Sequence, residues 1–503
     1  MPRPKPIDVE SRFDLPELFF STTDSTGKIR SGNTVFQRVA KYTLAEMLGK
    51  AHSLVRHPEM PRAVFWLLWE YMHAGKPIAA YVKNLASDGS YYWVVATVVP
   101  IPGQEGYLSV RMKPTSEVFP IVEDLYAQLR EIELDYEARG ERDKGMQESI
   151  SWVGPSLKGL GFASYDHFMH YLLPLEIRLR EEGTRDPSAR RKRARSSRHK
   201  EAETETTLQR MASRSLRIRD ALDRQFAQID GFIELSSKLE EKSKFVSELS
   251  FSIRRLSMNA MVGSSRLGQE GATLGVVSGA IGSHAVESKH LSTALSEHNS
   301  DAAHALRHAA FMLGIAKLQM DMILVFIDEL EKMSAGELQL EGEWLVAQEG
   351  LEALVLCLSA AVHQLFDGYQ AVIDSLTPLG SQVAQLYRLV QTLEITHFTG
   401  RLEASRIDDA GNFEDLFHQV GGQVQLARRE LTDFAEAVQT TKKEIAELSH
   451  FGDDLKASLD EISRLAREES EFLKVSGRPS VTVAPIEDED PAEDEAVLST
   501  IPG

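Results

Sequence analysis

Cysteine is almost missing from this chain. Its 503 residues hold one, Cys357, so an internal disulfide framework is ruled out, no Cys-rich metal pattern can form, and a reducing compartment is expected. Positive charge is also in deficit, 56 Lys and Arg against 75 Asp and Glu, and a net charge of −19 argues against general nucleic-acid binding. No apolar run approaches the length of a transmembrane helix, and the opening Met-Pro-Arg-Pro-Lys-Pro lacks the apolar core of a signal peptide. A cytoplasmic location is expected from both. Catalytic signatures are absent too: there is no Gly-rich phosphate loop, nucleophile elbow or kinase-type ATP motif. His284, His290, His298, His304 and His308 follow no His-Glu-x-x-His spacing and read as histidines on solvated helical faces. The expectation is a protein that is not an enzyme.

What is present divides the chain. A length of 503 residues exceeds a single core, so several domains are expected, and 42% hydrophobic with 26% charged residues is ordinary for a soluble protein. Behind a tail of residues 1–14, short extended runs at 18–23, 28–30, 78–83, 91–100 and 107–112 are interrupted by helical stretches. That pattern predicts one compact α+β module over residues 15–115. Its most distinctive words are Arg56-His57-Pro58-Glu59-Met60-Pro61, Lys83-Asn84 and Tyr92-Trp93. An Arg fork beside a His supplies donors and positive charge for a pyrophosphate, and Trp69 and Trp93 offer flat apolar walls to an aromatic ring. The competing reading makes Arg56 and His57 a surface turn and both tryptophans core.

With Asn33, His52 and Trp69, these words resemble the flavin-binding PAS domain of bacterial aerotaxis receptors over about residues 15 to 115. The resemblance implies a pocket for FAD that reports the redox poise of the respiratory chain. Residue by residue, it implies that Asn33, Arg56 and His57 face the cofactor, with Glu59 standing where the family has Asp. The chain departs from the pattern at Pro77-Ile78, where many members carry a flavin-contacting Trp. A photoreceptor forming a cysteinyl-flavin adduct is excluded, since Cys357 lies outside the module. A haem sensor is the alternative cofactor reading, with His52 or His57 as axial ligand.

Residues 116–139 read as an amphipathic exit helix with Val118, Ile121, Leu125 and Leu129 on one stripe and Pro120 in its first turn. Residues 140–200 form a mostly helical connector ending in a basic run, Arg190 to Lys200, which is either a solvated linker or an attractor for anionic lipid or an acidic partner. From 201 to 473 nearly everything reads as long helix. Val246, Leu249, Ile253, Leu256 and Ala260, and later Phe413, Phe417, Val420, Val424, Ala427 and Leu431, repeat at threes and fours. This is a coiled-coil seam. The fold class is therefore multidomain: an α+β PAS domain followed by a long all-α antiparallel coiled-coil or four-helix bundle of two tandem hairpins, with tips near 263–272 and 406–412. Pro378 should kink its helix or remove one backbone bond. Residues 474–503, with Glu487-Asp488-Glu489-Asp490, form an acidic tail expected to be disordered.

The first tip, through Asn259, Ala260, Arg266, Gly268, Gly271, Val276 and Val277, resembles the hairpin tip of methyl-accepting chemotaxis proteins. It departs from that family at Gly263, Gln269 and Gly282. The resemblance implies contact with a chemotaxis-type histidine kinase and its coupling protein, or with other receptors. The second bend echoes the first, Glu403-Ala404-Ser405-Arg406 aligning with Gly263 to Arg266, a weak internal repeat. Two hairpins in one chain can build the four-helix bundle within a monomer, while the PAS module remains able to pair two chains. Two function classes result: a redox or energy sensor with output through the bundle, and a cofactor-free PAS scaffold acting by protein contacts.

Overall fold

The computed structural model describes residues 3–184, 206–335, 344–407, 411–450 and 452–475. The basic run from Arg190 to Lys200 and the acidic tail lie outside the described residues. The described chain divides into two compact units. The first holds residues up to 227, 311–364 and those from 453 onward; the second holds 228–310 and 365–452.

The first unit is built on a five-stranded antiparallel sheet of β1 (Phe19–Asp24), β2 (Ile29–Gly32), β3 (Ile78–Leu85), β4 (Tyr91–Pro100) and β5 (Gly106–Met112), in the order β2-β1-β5-β4-β3. Between β2 and β3 the chain crosses one face through α1 (Thr34–Ala40), α2 (Leu44–Met47), a 3-10 turn (His52–Val55) and α3 (Arg62–His73). Each short helix has a local start signal. Asn33 caps α1 by accepting from Phe36 N, and Thr43 with Glu46 closes a capping box on α2. Residues before β1 join the module as well: Ile7 N donates to Gly89 O at 2.8 Å and Ser11 N to Tyr91 O at 2.7 Å.

The other face of the sheet meets helices that come later in the chain. The helical part of this unit comprises α4 (Val118–Ala138), α5 (Arg142–Gly159), α6 (Tyr165–Thr184), α7 (Thr207–Phe226), residues 311–334 of α9 (Ala272–Ser334), residues 344–364 of α10 (Trp344–Ala404) and residues 453–475 of α12 (Gly452–Val475). Phe20 meets Phe326 edge-on at 4.8 Å, and Trp93 meets Phe119 at 5.2 Å. A buried ionic knot adds direction to this apolar packing: Lys317 pairs with Glu181 at 2.5 Å and with Asp223, while Arg180 pairs with Asp321 at 3.2 Å and donates to Pro16 O at 3.0 Å. Losing both Glu181 and Asp223 would leave the buried Lys317 ammonium without its paired charges, which costs more than such a pair itself contributes.

In the second unit α8 (Ile229–Arg266), residues 272–310 of α9, residues 365–404 of α10 and α11 (Gly411–His450) run antiparallel. Lys242 pairs with Glu430, Gly263 lies against Phe413, and Gly400 lies against Phe417. The predicted seam residues Val246, Ile253, Leu256, Phe413, Phe417 and Leu431 are buried. The helix α10 continues through Pro378, whose missing N–H removes one backbone bond without ending the element.

One sequence expectation needs correcting. By length and composition α9 and α10 each contain a window apolar enough to cross a membrane. Their apolarity has another use in this fold, because 83% and 61% of those windows are buried inside the protein.

Candidate functional site

Alternation along three strands builds the site. In β1 Ser21 and Thr23, in β4 Ala96 and Val98, and in β5 Tyr107, Ser109 and Arg111 point to the face crossed by α3, because successive side chains of a strand leave on opposite sides. Ser21 stands opposite Ser109, and Arg111 opposite Ala96. The helix α3 closes the cleft from above with Phe65, Leu68, Trp69, Met72 and His73. The result is apolar walls over a small polar floor, the usual composition of a small-molecule site.

At the floor sits a buried cation with no carboxylate against it among the described residues. Arg111 is 3% exposed; its Nη2 donates to Ser21 Oγ at 2.9 Å and to His52 Nε2 at 2.7 Å, and its Nη1 has no hydrogen-bond partner among the described residues. Its guanidinium also lies 5.2 Å from the Phe36 ring centre. Burial lowers the Arg111 pKa only to about 10, so the group stays charged. His52 is pushed down to about 3, first by burial and then by the charge of Arg111, so it stays neutral. With Nε2 accepting from Arg111, the lone pair that an axial haem ligand would need is already engaged.

The mouth of the cleft is shaped by Gly27 and Trp69. Gly27 takes φ +79° in the β1–β2 turn, and a Cβ there would stand 3.3 Å from the Trp69 ring. Trp69 is held in turn by His73 at 5.4 Å and Tyr107 at 5.9 Å.

Of the six residues proposed from the sequence to meet a cofactor, Arg56 and Trp69 line this cleft. The Arg56 guanidinium lies over the Phe65 ring at 4.0 Å. Asn33, His57, Glu59 and Trp93 are not among the lining residues. Asn33 is fully engaged beneath the helices: its Oδ1 accepts from Phe20 N, and its Nδ2 donates to Leu18 O and to Glu329 Oε1, each at 3.2 Å. His57 is buried, with its N donating to Lys83 O and its Nδ1 accepting from Glu59 N; burial and then Lys83 push its pKa down to about 4. Glu59 pairs with Lys83 at 2.5 Å on the surface. Trp93 stands on the opposite sheet face, against Phe119 and Tyr126. Arg111, Ser109 and Tyr107 escaped sequence reasoning. Their signal was the polar alternation of β5, which ordinarily marks a solvated strand face.

The proposed partner residues all lie in the second unit. Asn259, Arg266 and Gly268 are exposed at the end of α8, and Glu403 pairs with Arg406 at 2.7 Å at the end of α10. Two of the departures from the chemotaxis pattern, Gly263 and Gly282, sit against neighbouring side chains. A Cβ on Gly263 would stand 2.9 Å from the Phe413 ring, and one on Gly282 would stand 2.8 Å from Ser257 Oγ, which donates to Ser278 O. A long side chain fits at neither place.

A family model described as a PAS fold matches residues 31–110, and the N-terminal module is a PAS domain. The chain is similar to the aerotaxis receptor of Escherichia coli strain K12, 41% identical over 112 residues, 22% of each protein. It is also similar to the nitrogen fixation regulatory protein of Klebsiella pneumoniae, 28% identical over 103 residues, 18% of this chain and 21% of that one. The match thus spans about a fifth of these curated relatives. Among solved structures, the LOV domain of the blue-light photoreceptor Aureochrome1 in its light state is matched at 23% identity, over 20% of this chain and 85% of that one, with a TM-score of 0.19.

Proposed function

We propose that this is a sensory signalling protein of the cytoplasm, without enzymatic activity, in which the PAS cleft takes the ring of FAD and the helical hairpins carry the output to a chemotaxis-type histidine kinase and coupling protein. The observation that carries the reading is Arg111: a buried, charged guanidinium with one nitrogen lacking an acceptor among the described residues, at the polar floor of a cleft with apolar walls. A planar heteroaromatic ring bearing carbonyl oxygens fits both halves of that environment, and Trp69, Phe65 and Leu68 supply its apolar contacts. The sequence resemblance to the flavin-binding PAS domain of aerotaxis receptors points to the same cofactor. Arg56 also lines the cleft, and its guanidinium would supply donors and positive charge to a pyrophosphate.

When bound, a flavin supplies a reversible change in electron count. The residues set the response to it. Arg111 keeps its proton and therefore favours extra negative charge above it, while neutral His52 and Ser21 together fix its Nη2. Support for a protein-binding output comes from the second unit, where Met258, Val262, Val276, Ile395 and Phe398 are large, apolar and exposed.

The test is the visible spectrum of the purified full-length protein, followed by extraction and identification of any released nucleotide. Blue-light absorption and recovered FAD are expected. A well-folded protein that is colourless and releases no nucleotide after growth with ample riboflavin contradicts the reading and leaves the cofactor-free scaffold.

A further inference from the structure

The helix α3 carries five cleft-lining residues, yet nothing in its own segment caps its start. Its N-cap position is Pro61, which offers no side-chain acceptor. The amides of Arg62 and Ala63 instead donate to Glu133 Oε2 at 2.9 Å and to Glu133 Oε1 at 3.0 Å, one to each carboxylate oxygen. Glu133 belongs to α4, the exit helix, and is 1% exposed. A carboxylate on the first amides of a helix satisfies orphan donors and meets the positive end of the helix dipole. The grip has neighbours. Arg130, three residues before Glu133 on α4, donates to Pro58 O at 3.1 Å and to Glu133 at 3.2 Å, and the Arg62 guanidinium donates to Arg142 O at 3.3 Å at the start of α5.

The start of α4 is fixed elsewhere. Glu176 on α6, fully buried, accepts from Thr115 N at 2.7 Å, Ser116 N at 3.1 Å, the hydroxyls of both residues, and Tyr81 Oη at 2.6 Å. The strands β4 and β5 that line the cleft are stiffened by ladder hydrogen bonds on both sides, β4 between β3 and β5, and β5 between β1 and β4. The helix α3 carries no such ladder: Glu133 holds the amides at its start, and in its last turns Tyr71 Oη donates to Asp166 Oδ1 on α6 at 2.7 Å, so its first turn is the part that can shift.

We propose that Glu133 is a positioning residue that relays a change in the cleft to the exit helix, with the first turn of α3 as the moving part and Glu176 as the fixed end. A shift of that turn over the cleft drags the two amides, their carboxylate and the C-terminal half of α4, while the start of α4 stays where Glu176 holds it. The inference rests on the reading that the cleft takes a ligand.

The test is amide hydrogen exchange on the full-length protein, read over residues 126–138, with two perturbations of the cleft: reduction of bound flavin, and Leu68→Ala, which needs no cofactor. In the wild type each perturbation is expected to change exchange there by about fivefold, the lower end of ordinary coupling between sites. Glu133→Gln is expected to abolish most of the change, and so is Glu133→Asp, which keeps the charge but shortens the reach. Glu176→Gln is expected to retain it. A full-sized change in folded Glu133→Gln or Glu133→Asp protein overturns the relay, as does a wild type whose exit helix answers neither perturbation. A colourless wild type removes the flavin reading, and the Leu68→Ala arm still decides the relay.

Discussion

Arg111 and His52 illustrate how much one hydrogen bond decides. Because Nε2 of His52 accepts from the Arg111 guanidinium, protonating that nitrogen would break the contact and set two cations side by side in a buried site. Burial first, and then this neighbouring charge, depress the folded-state pKa of His52 to about 3 from an ordinary 6.5. The neutral form is the one folding favours, so its contribution to stability is complete above about 6.5 and is lost as pH falls from there toward 3. A denaturant series across that window is expected to show the wild type weakening steadily, with His52→Gln flatter in the same range. Equal slopes would place the titration elsewhere. The identity of Arg111 as the floor of the cleft was hidden for a physical reason. Tyr107, Ser109 and Arg111 alternate with Leu108, Val110 and Met112, and that pattern reads as a strand with one solvated face. In this protein the apolar face is covered by helices from much later in the chain, and the polar face lines the cleft. Arg56 and Trp69, which line the cleft, could be singled out in the sequence because an Arg beside a His and a tryptophan as a flat apolar wall carry their own signal. Asn33 was legible as special, but its partner is Glu329, 296 residues away, which no local pattern reveals.

At the level of elements, the five strands and the exit helix were readable within a residue or two, because alternation, turn residues and Pro120 in a first turn are local devices. Pro155 and Pro174 inside α5 and α6 were less informative, since neighbouring helices hold those elements together despite the lost bonds. The tips show the same dependence on neighbours. Gly263 and Gly282 look like gaps in a docking motif, yet each is filled by a partner helix. Gly263→Glu must displace the Phe413 ring, and overpacking of this kind costs typically about 1–3 kcal/mol. Thermal unfolding of the variant is expected to begin earlier, with faster hydrogen exchange at the ends of α8 and α11. Unchanged exchange there would mean that the two helices do not pack as described.

On the scale of the whole molecule, two hairpins of one chain supply all four helical segments of the second unit, so no second copy is needed to bury the seam. Sedimentation and far-ultraviolet dichroism across a hundredfold dilution are expected to show helicity that does not fall with concentration. Helicity lost on dilution would show that the seam is completed between chains. The PAS sheet has also given one face to its own helices, through contacts such as Phe20 with Phe326 and the hydrogen bonds of Glu329 to Asn33 and Thr34. Self-association through that face would first have to release them.

The most direct measurement is an equilibrium titration of cofactor-free full-length protein with FAD, followed by quenching of flavin fluorescence, in the wild type and in Arg111→Gln. A hydrogen bond to a charged group contributes roughly 1.5–3 kcal/mol, so the variant is predicted to bind about 10- to 100-fold more weakly while keeping its fold. Equal affinities in the two proteins, or no saturable quenching in the wild type, would contradict the assignment of this cleft as the flavin site.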